Sequence, residues 1–296
     1  MTKQTATLMG LGSILIWASL VAVVKLLTEA LTPLSALALI YSFSAICIVA
    51  SSGFPQVAQM PKAYLYGCGA LFICYEVLFL SSVALSRHRD EVLIIAMLNY
   101  LWPPLTVLFA IFAGQLRHQN GVIIGFVLSI VGLMLVVNPH IFDVQHFSRV
   151  LLANPMAYGF AFIAAILWAN YSVLTKKYAQ GHNAVSLFFA LTACSLWVIF
   201  AFSDEHWQMP TAMLWLAVAV VGGLIGWTYQ QWNQSLQFGN MKVLILATYF
   251  MPILSSMMSM FILQITVGWI FWLGTLLVTM GALICWKSTE DISVNL

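Results

Sequence analysis

Ten long apolar runs follow one another along this chain and leave room for little else: residues 5–27, 33–52, 63–85, 92–113, 121–137, 155–178, 184–202, 211–235, 243–264 and 267–286. A helix needs about 20 mainly apolar residues to cross a bilayer, and each run is of that order. Soluble domains carry about 25% charged residues. Here 7% of 296 residues are charged and 62% are hydrophobic, so an ordinary water-facing surface cannot be built. The expectation is an all-α integral membrane protein with ten transmembrane helices. The first run is too long for the apolar part of a signal peptide and no soluble domain follows it, so it reads as a retained span. A net charge of +2 offers nothing to a nucleic acid.

The breaks between runs hold the turn chemistry and most of the charge: Thr32-Pro33, Gly53-Phe54-Pro55, Arg87-His88-Arg89-Asp90, Asn138-Pro139, Gly181-His182-Asn183 and Asp204-Glu205. Short loops imply antiparallel neighbours. The longest connection, 139–154, separates residues 1–138 from 155–287, two five-helix halves of one membrane domain.

The halves echo each other. Asn99-Tyr100-Leu101-Trp102-Pro103 returns as Thr248-Tyr249-Phe250-Met251-Pro252, each Tyr-x-x-Pro inside an apolar run. Trp17-Ala18 and Lys25 return as Trp168-Ala169 and Lys176, and Gly125 and Gly132 as Gly274 and Gly281. Three echoes in order, roughly 150 residues apart, point to an internal repeat. Five helices per copy is an odd number, so the second copy starts from the opposite side, giving a 5+5 inverted-topology repeat. Proline within a helix removes a backbone hydrogen bond. A bilayer tolerates that where the freed backbone faces protein or a water-filled cavity. Matched breaks in two halves are therefore the best pointer to a transporter's binding site. Pro103 and Pro252 read as gating hinges or as static kinks.

An even helix count puts both termini on one side. With the termini inside, the inner set is Lys3, Lys62, Arg117, Lys176, Lys177, Lys242 and Lys287, and the outer set Lys25, Arg87, Arg89 and Arg149. That is a bias of seven to four toward cytoplasmic termini.

Glu76, beside Tyr75 in the third span, is the sharpest chemical candidate. An intramembrane carboxylate costs a few kcal/mol and usually faces an interior cavity. It could bind a proton or a cationic substrate group, or tie two helices together as a hydrogen-bonded structural residue. Trp17, Asn99, Tyr100, Trp102, Trp168, Asn170, Tyr171 and Tyr249 combine aromatic and polar groups at depth. So does the polar stretch Tyr229, Gln230, Gln231, Trp232, Asn233 and Gln234. Unsatisfied donors against lipid cost several kcal/mol, so these groups line an interior path or join helices. Aromatic walls with amide and hydroxyl handles suit a flat, partly apolar molecule with polar ends. One carboxylate among them also suits an organic cation. Lys25, Lys176, Lys177 and Lys242 fall near span ends, where they can snorkel, which argues against a phosphate carrier. Gly121-x-x-x-Gly125 and Gly222-x-x-x-Gly226 read as packing seams, and Trp207, Trp269 and Trp286 as interfacial belt residues.

Other classes find little support. Cys47, Cys68, Cys74, Cys194 and Cys285 form no C-x-x-C pair, so no disulfide framework or zinc site is expected. His88, His118, His140, His146, His182 and His206 lie in or beside loops. His88, at the end of the third span, reads as a solvated loop residue or as one that touches a substrate entering from outside. No catalytic or haem-ligating set and no Walker motif occurs, so neither an enzyme, nor a cofactor, nor an ATP-driven pump is expected. A receptor or scaffold would not need matched broken helices.

Tyr75-Glu76, Asn99-Tyr100-Leu101-Trp102-Pro103, Leu167-Trp168-Ala169 and Tyr249-Phe250-Met251-Pro252 resemble motifs of the drug/metabolite transporter superfamily. More narrowly, they resemble its bacterial aromatic amino acid exporters that also pass methyl viologen (paraquat). The resemblance spans nearly the whole chain. It implies an inner-membrane location, cytoplasmic termini and a central cavity lined by spans one, three, four, six, eight and nine. It also implies export of phenylalanine, tyrosine, tryptophan and related compounds, with other small metabolites or drugs as the alternative cargo. The small four-helix relatives carry an essential Glu in the first span. This first span has none, so proton exchange through Glu76 and facilitated diffusion both fit. The expected partners are the small-molecule substrate and the lipid bilayer, with the chain acting as a monomer.

Overall fold

The computed structural model describes residues 2–116, 120–137 and 144–288. Among these the regular structure is helical, without strands. In chain order the helices are α1 (Lys3–Ala30), α2 (Pro33–Ser52), α3 (Gly69–Ala84), α4 (Glu91–Asn99), α5 (Trp102–Phe112), α6 (Asn120–Val137), α7 (Val144–Ala153), α8 (Pro155–Tyr178), α9 (Val185–Ala201), α10 (Ala212–Phe238), α11 (Met241–Tyr249), α12 (Met251–Leu263) and α13 (Trp269–Lys287). A π-helical segment, Ala63–Cys68, runs straight into α3. Arg117, His118, Asn138, Pro139 and His140, and the side chains of His146, Asn233 and Lys242, lie outside the described residues.

Eight helical stretches are long and apolar enough to cross a bilayer, two of them the compound stretches Ala63–Ala84 and Glu91–Phe112. Two shorter apolar helices, Val185–Ala201 and Met251–Leu263, fall in the seventh and ninth runs. The ninth run therefore does not form one long helix. It divides at Phe250 into α11 and α12 because Pro252 has no N–H for the carbonyl four residues back. The fourth run bends for the same reason at Tyr100 and Leu101, with Pro103 opening α5. In both bends the chain tightens instead of leaving the helix. Leu101 N donates to Leu98 O at 3.3 Å and Phe250 N to Ala247 O at 3.1 Å, both i−3 bonds.

Sequence sets the helix starts. Thr2, Asn154 and Thr211 each accept from a backbone N–H three residues on, a cap that contributes about 1 kcal/mol. Pro33 and Pro155 occupy first-turn positions, where no N–H is missed. Gly53, at φ +74°, ends α2 in a conformation that L side chains rarely adopt.

Small residues set the closest helix approaches. The Gly125/Gly132 and Gly274/Gly281 pairs pack against each other across α6 and α13. A methyl group at Gly132 would lie 2.6 Å from the Gly274 carbonyl oxygen, and one at Gly274 would lie 2.6 Å from that of Gly132. Gly222 and Gly226 likewise admit α2, where methyl groups would lie 2.5 Å from Ile40 O and 2.6 Å from Ser44 O. Such seams replace the hydrophobic drive that lipid removes with close van der Waals contact. The remaining packing sets α1 against α10 and α12, and α3 against α8 and α9, around a central space.

Candidate functional site

Glu76 sits on α3, 5% exposed, with each carboxylate oxygen satisfied. The Tyr41 hydroxyl of α2 donates to Oε2 at 2.5 Å and the Tyr229 hydroxyl of α10 to Oε1 at 2.9 Å. Two phenols can hold a carboxylate where bare burial would be prohibitive. They also join three helices through one group. The structural and the chemical readings of Glu76 thus meet in the same geometry.

The carboxyl faces a cavity of about 310 Å³. Its wall includes Trp17, Tyr75, Glu76, Asn99, Tyr100, Trp102, Trp168, Tyr171, Tyr229 and Trp232, all singled out in the sequence. Aromatic contacts brace one another around it. Trp17 lies 5.2 Å from Tyr229 and 5.3 Å from Trp232, Trp168 lies 4.5 Å from Tyr75 and 5.0 Å from Tyr171, and Trp102 meets Trp168 edge-on at 6.5 Å. The Trp17 indole is fixed further by donating to Thr228 Oγ1 at 2.9 Å. Asn99 is 4% exposed, and its Oδ1 has no hydrogen-bond partner among the described residues. That oxygen is itself buried, and the Asn99 amide lies within reach of the Tyr75 phenol.

The proline breaks open onto the same space. Pro103, Pro104 and Pro252 withhold helical N–H donors from the carbonyls of Asn99, Tyr100 and Thr248. All three of those residues line the cavity. Pro103 and Pro252 are themselves buried within the bends.

Other expected residues stand elsewhere. The Asn170 amide donates to Ile166 O at 2.9 Å within its own helix, and Gln230 Nε2 reaches Ser51 O on α2 at 3.4 Å. Gln231, its neighbour, is the buried one. Tyr249 lines a second cavity of about 600 Å³, with Thr106, Gln115, Ser172, Lys176, Trp286 and Lys287. Trp286, near the end of its span, pairs with Tyr249 at 5.8 Å. His88 lies in the exposed loop between α3 and α4, away from both cavities.

Sequence reasoning missed Tyr41, Phe72, Phe79 and Val185 on the central wall. Tyr41 and Val185 add α2 and α9 to the lining. Phe72 stands among Trp168, Tyr171, Phe188, Phe189 and Tyr229, with centroid separations from 5.4 to 6.3 Å. Tyr41 left one signal: it is the lone phenol in an otherwise apolar and small-residue helix.

Where α1 and α3 end, polar groups tie the bundle together. Lys25 does not snorkel; it is buried and donates to Ser86 O at 2.6 Å. Arg89 bridges Glu29 at 2.7 Å and donates to Leu263 O of α12 at 3.3 Å. Glu91 Oε2 accepts from Arg87 N at 2.8 Å and from Asn154 Nδ2 at 2.9 Å. This end is cross-linked, whereas the second cavity lies toward the end bearing Lys176 and Lys287.

Comparisons with known proteins agree with this picture. A crystal structure of another protein has the same fold at a TM-score of 0.65 with 23% identity, covering 97% of this chain and 98% of that one. The aromatic amino acid exporter YddG of Escherichia coli is 32% identical over 293 residues, 98% of this chain and 99% of that protein. The aromatic amino acid exporter YddG of Salmonella typhimurium is 31% identical over 302 residues, with the same coverage. That of Ancylobacter novellus is 25% identical over 276 residues, 87% of this chain and 88% of that protein. Residues 155–286 match the EamA-like transporter family. With this fold, an aromatic cavity at two proline breaks and full-length relatives among its exporters, the chain belongs to the EamA-like transporter family.

Proposed function

We propose that the protein exports aromatic amino acids, and flat organic cations with them, through the central cavity by alternating access. One observation carries the reading: a buried carboxylate and a buried amide stand in a wall that is otherwise largely aromatic. The ring of phenylalanine, tyrosine or tryptophan stacks among Trp17, Tyr100, Trp102 and Trp168, each aromatic pair contributing about 0.5–1.5 kcal/mol. The ammonium takes the field of Glu76 and a hydrogen bond to Asn99 Oδ1. A flat dication such as methyl viologen meets the same charge and the same rings. Tyr75, Tyr171, Tyr229 and Trp232 complete the wall.

The cavity lies among helices whose counterparts in the two halves, 1–138 and 155–287, run as a 5+5 inverted repeat of ten spans. Both termini are cytoplasmic in a bacterial inner membrane. The bends at Pro103 and Pro252 act as hinges about which one set of helices rocks against the other. The names of the full-length relatives support export as the direction.

A carrier must release what it binds, so affinity near millimolar is expected, about 4 kcal/mol. Cells overproducing the protein should resist toxic phenylalanine analogues and retain less labelled phenylalanine. Equal toxicity, with protection instead against an aliphatic amino acid or a sugar, would refute the reading.

A further inference from the structure

The second cavity follows the first along the same helices. On α5, Trp102 faces the central cavity and Thr106 the second. On α8, Trp168 faces the first and Ser172 the second, and on α11 the neighbours Thr248 and Tyr249 divide in the same way. Residues i and i+4 share a helix face about one turn, roughly 5.4 Å, apart. The two spaces are thus consecutive stations separated by a single layer. Its centre is the edge-on contact of Trp102 with Trp168.

Their chemistry is complementary. The central wall carries a carboxylate and no Lys or Arg among its described residues. Among its described residues the second wall reverses this, with Lys176 and Lys287 and no carboxylate, beside the Tyr249–Trp286 ring pair and the polar Thr106, Gln115 and Ser172. Lipid tails would not call for that lining. An aromatic zwitterion has three parts: a ring that both cavities can take, an ammonium that only the first can attract, and a carboxylate that only the second can.

We propose that the second cavity is a loading station for aromatic carboxylates and zwitterions. Tyr249 and Trp286 receive the ring, and Lys176 and Lys287 attract the carboxylate before the molecule passes the Trp102–Trp168 layer. The proposal rests on the export reading above and gives it a site on the loading side.

Inside-out membrane vesicles from overproducing cells expose that side to the medium, and uptake of labelled phenylalanine reads it. The double variant Lys176→Gln/Lys287→Gln should raise the half-saturating phenylalanine concentration about three- to tenfold, from two weak solvated charge contacts, with little change in maximal rate. Competition by phenethylamine, which keeps ring and ammonium but lacks the carboxylate, should be unchanged. Tyr249→Ala and Trp286→Ala should weaken both ligands. Both lysines are exposed, so their replacement tests the idea even where the alanine variants fail to accumulate; membrane amounts are checked by immunoblot. If wild-type vesicles take up no phenylalanine, the export reading itself falls. If they do, and the lysine variant either stays within twofold of wild type or weakens phenethylamine equally, export stands and the loading station is overturned.

Discussion

The two proline breaks begin from the same sequence pattern and end in different surroundings. At the first, Asn99, Tyr100 and Trp102 all face the central cavity. At the second, Thr248 and Met251 face that cavity while Tyr249 turns to the other one. Proline dictates the backbone event alike in both, loss of a helical donor and a tightened turn. It says nothing about which neighbours the turn meets. The first break lies between α8 and the buried carboxylate side of the bundle, and supplies an amide oxygen and an indole. The second supplies a hydroxyl and a thioether, and places its phenol beside Trp286. The two breaks thus share a backbone event and differ in the chemistry around it.

This contrast can be broken by exchanging its members. The largest difference is expected between Trp102→Ala and Met251→Ala. Trp102 brings a full aromatic face and its contact with Trp168, so its loss should lower phenylalanine transport about tenfold, from ~1.5 kcal/mol of aromatic contact. Met251→Ala should cost less than about threefold. Export measured at matched protein levels decides this, and equal losses would make the two breaks functionally alike.

Asn99→Ala against Thr248→Ala is a finer test. Removing the Asn99 amide should raise the half-saturating concentration about fivefold, from one hydrogen bond of ~1 kcal/mol. Thr248→Ala should shift it by less than about twofold. Phenylpropionate, which lacks the ammonium, should compete equally with wild type and Asn99→Ala. A shift with that competitor too would mean that the asparagine shapes the cavity and does not contact the ammonium.

Glu76→Gln sharpens the same side of the comparison. The glutamine can still accept from Tyr41 or Tyr229 but carries no charge and does not titrate. Transport of cationic substrates should fall several-fold, and any pH dependence of phenylalanine transport should disappear while protein levels hold. A pH profile identical to wild type would leave Glu76 as a tether among α2, α3 and α10.

Composition and run length alone determined that this chain is helical and lives in a bilayer, because about 20 apolar residues cannot be satisfied elsewhere and backbone polar groups in lipid must bond within their own helix. Glu76, the proline breaks and the glycine seams were also legible, since each is a residue type that an apolar helix does not hold without a reason. The direction in which a side chain points was not. In a span apolar on every face, no moment separates the lipid side from the interior. One residue of offset turns the helix by about 100°, so Gln230 could stand for Gln231, and Tyr249 could be assigned to the wrong cavity. Tyr41 and Tyr229 meet on Glu76, and Lys25 turns inward to Ser86, only because separate helices bring them together. Those pairings reside in the packing of α1, α2, α3 and α10, which no stretch of sequence contains by itself.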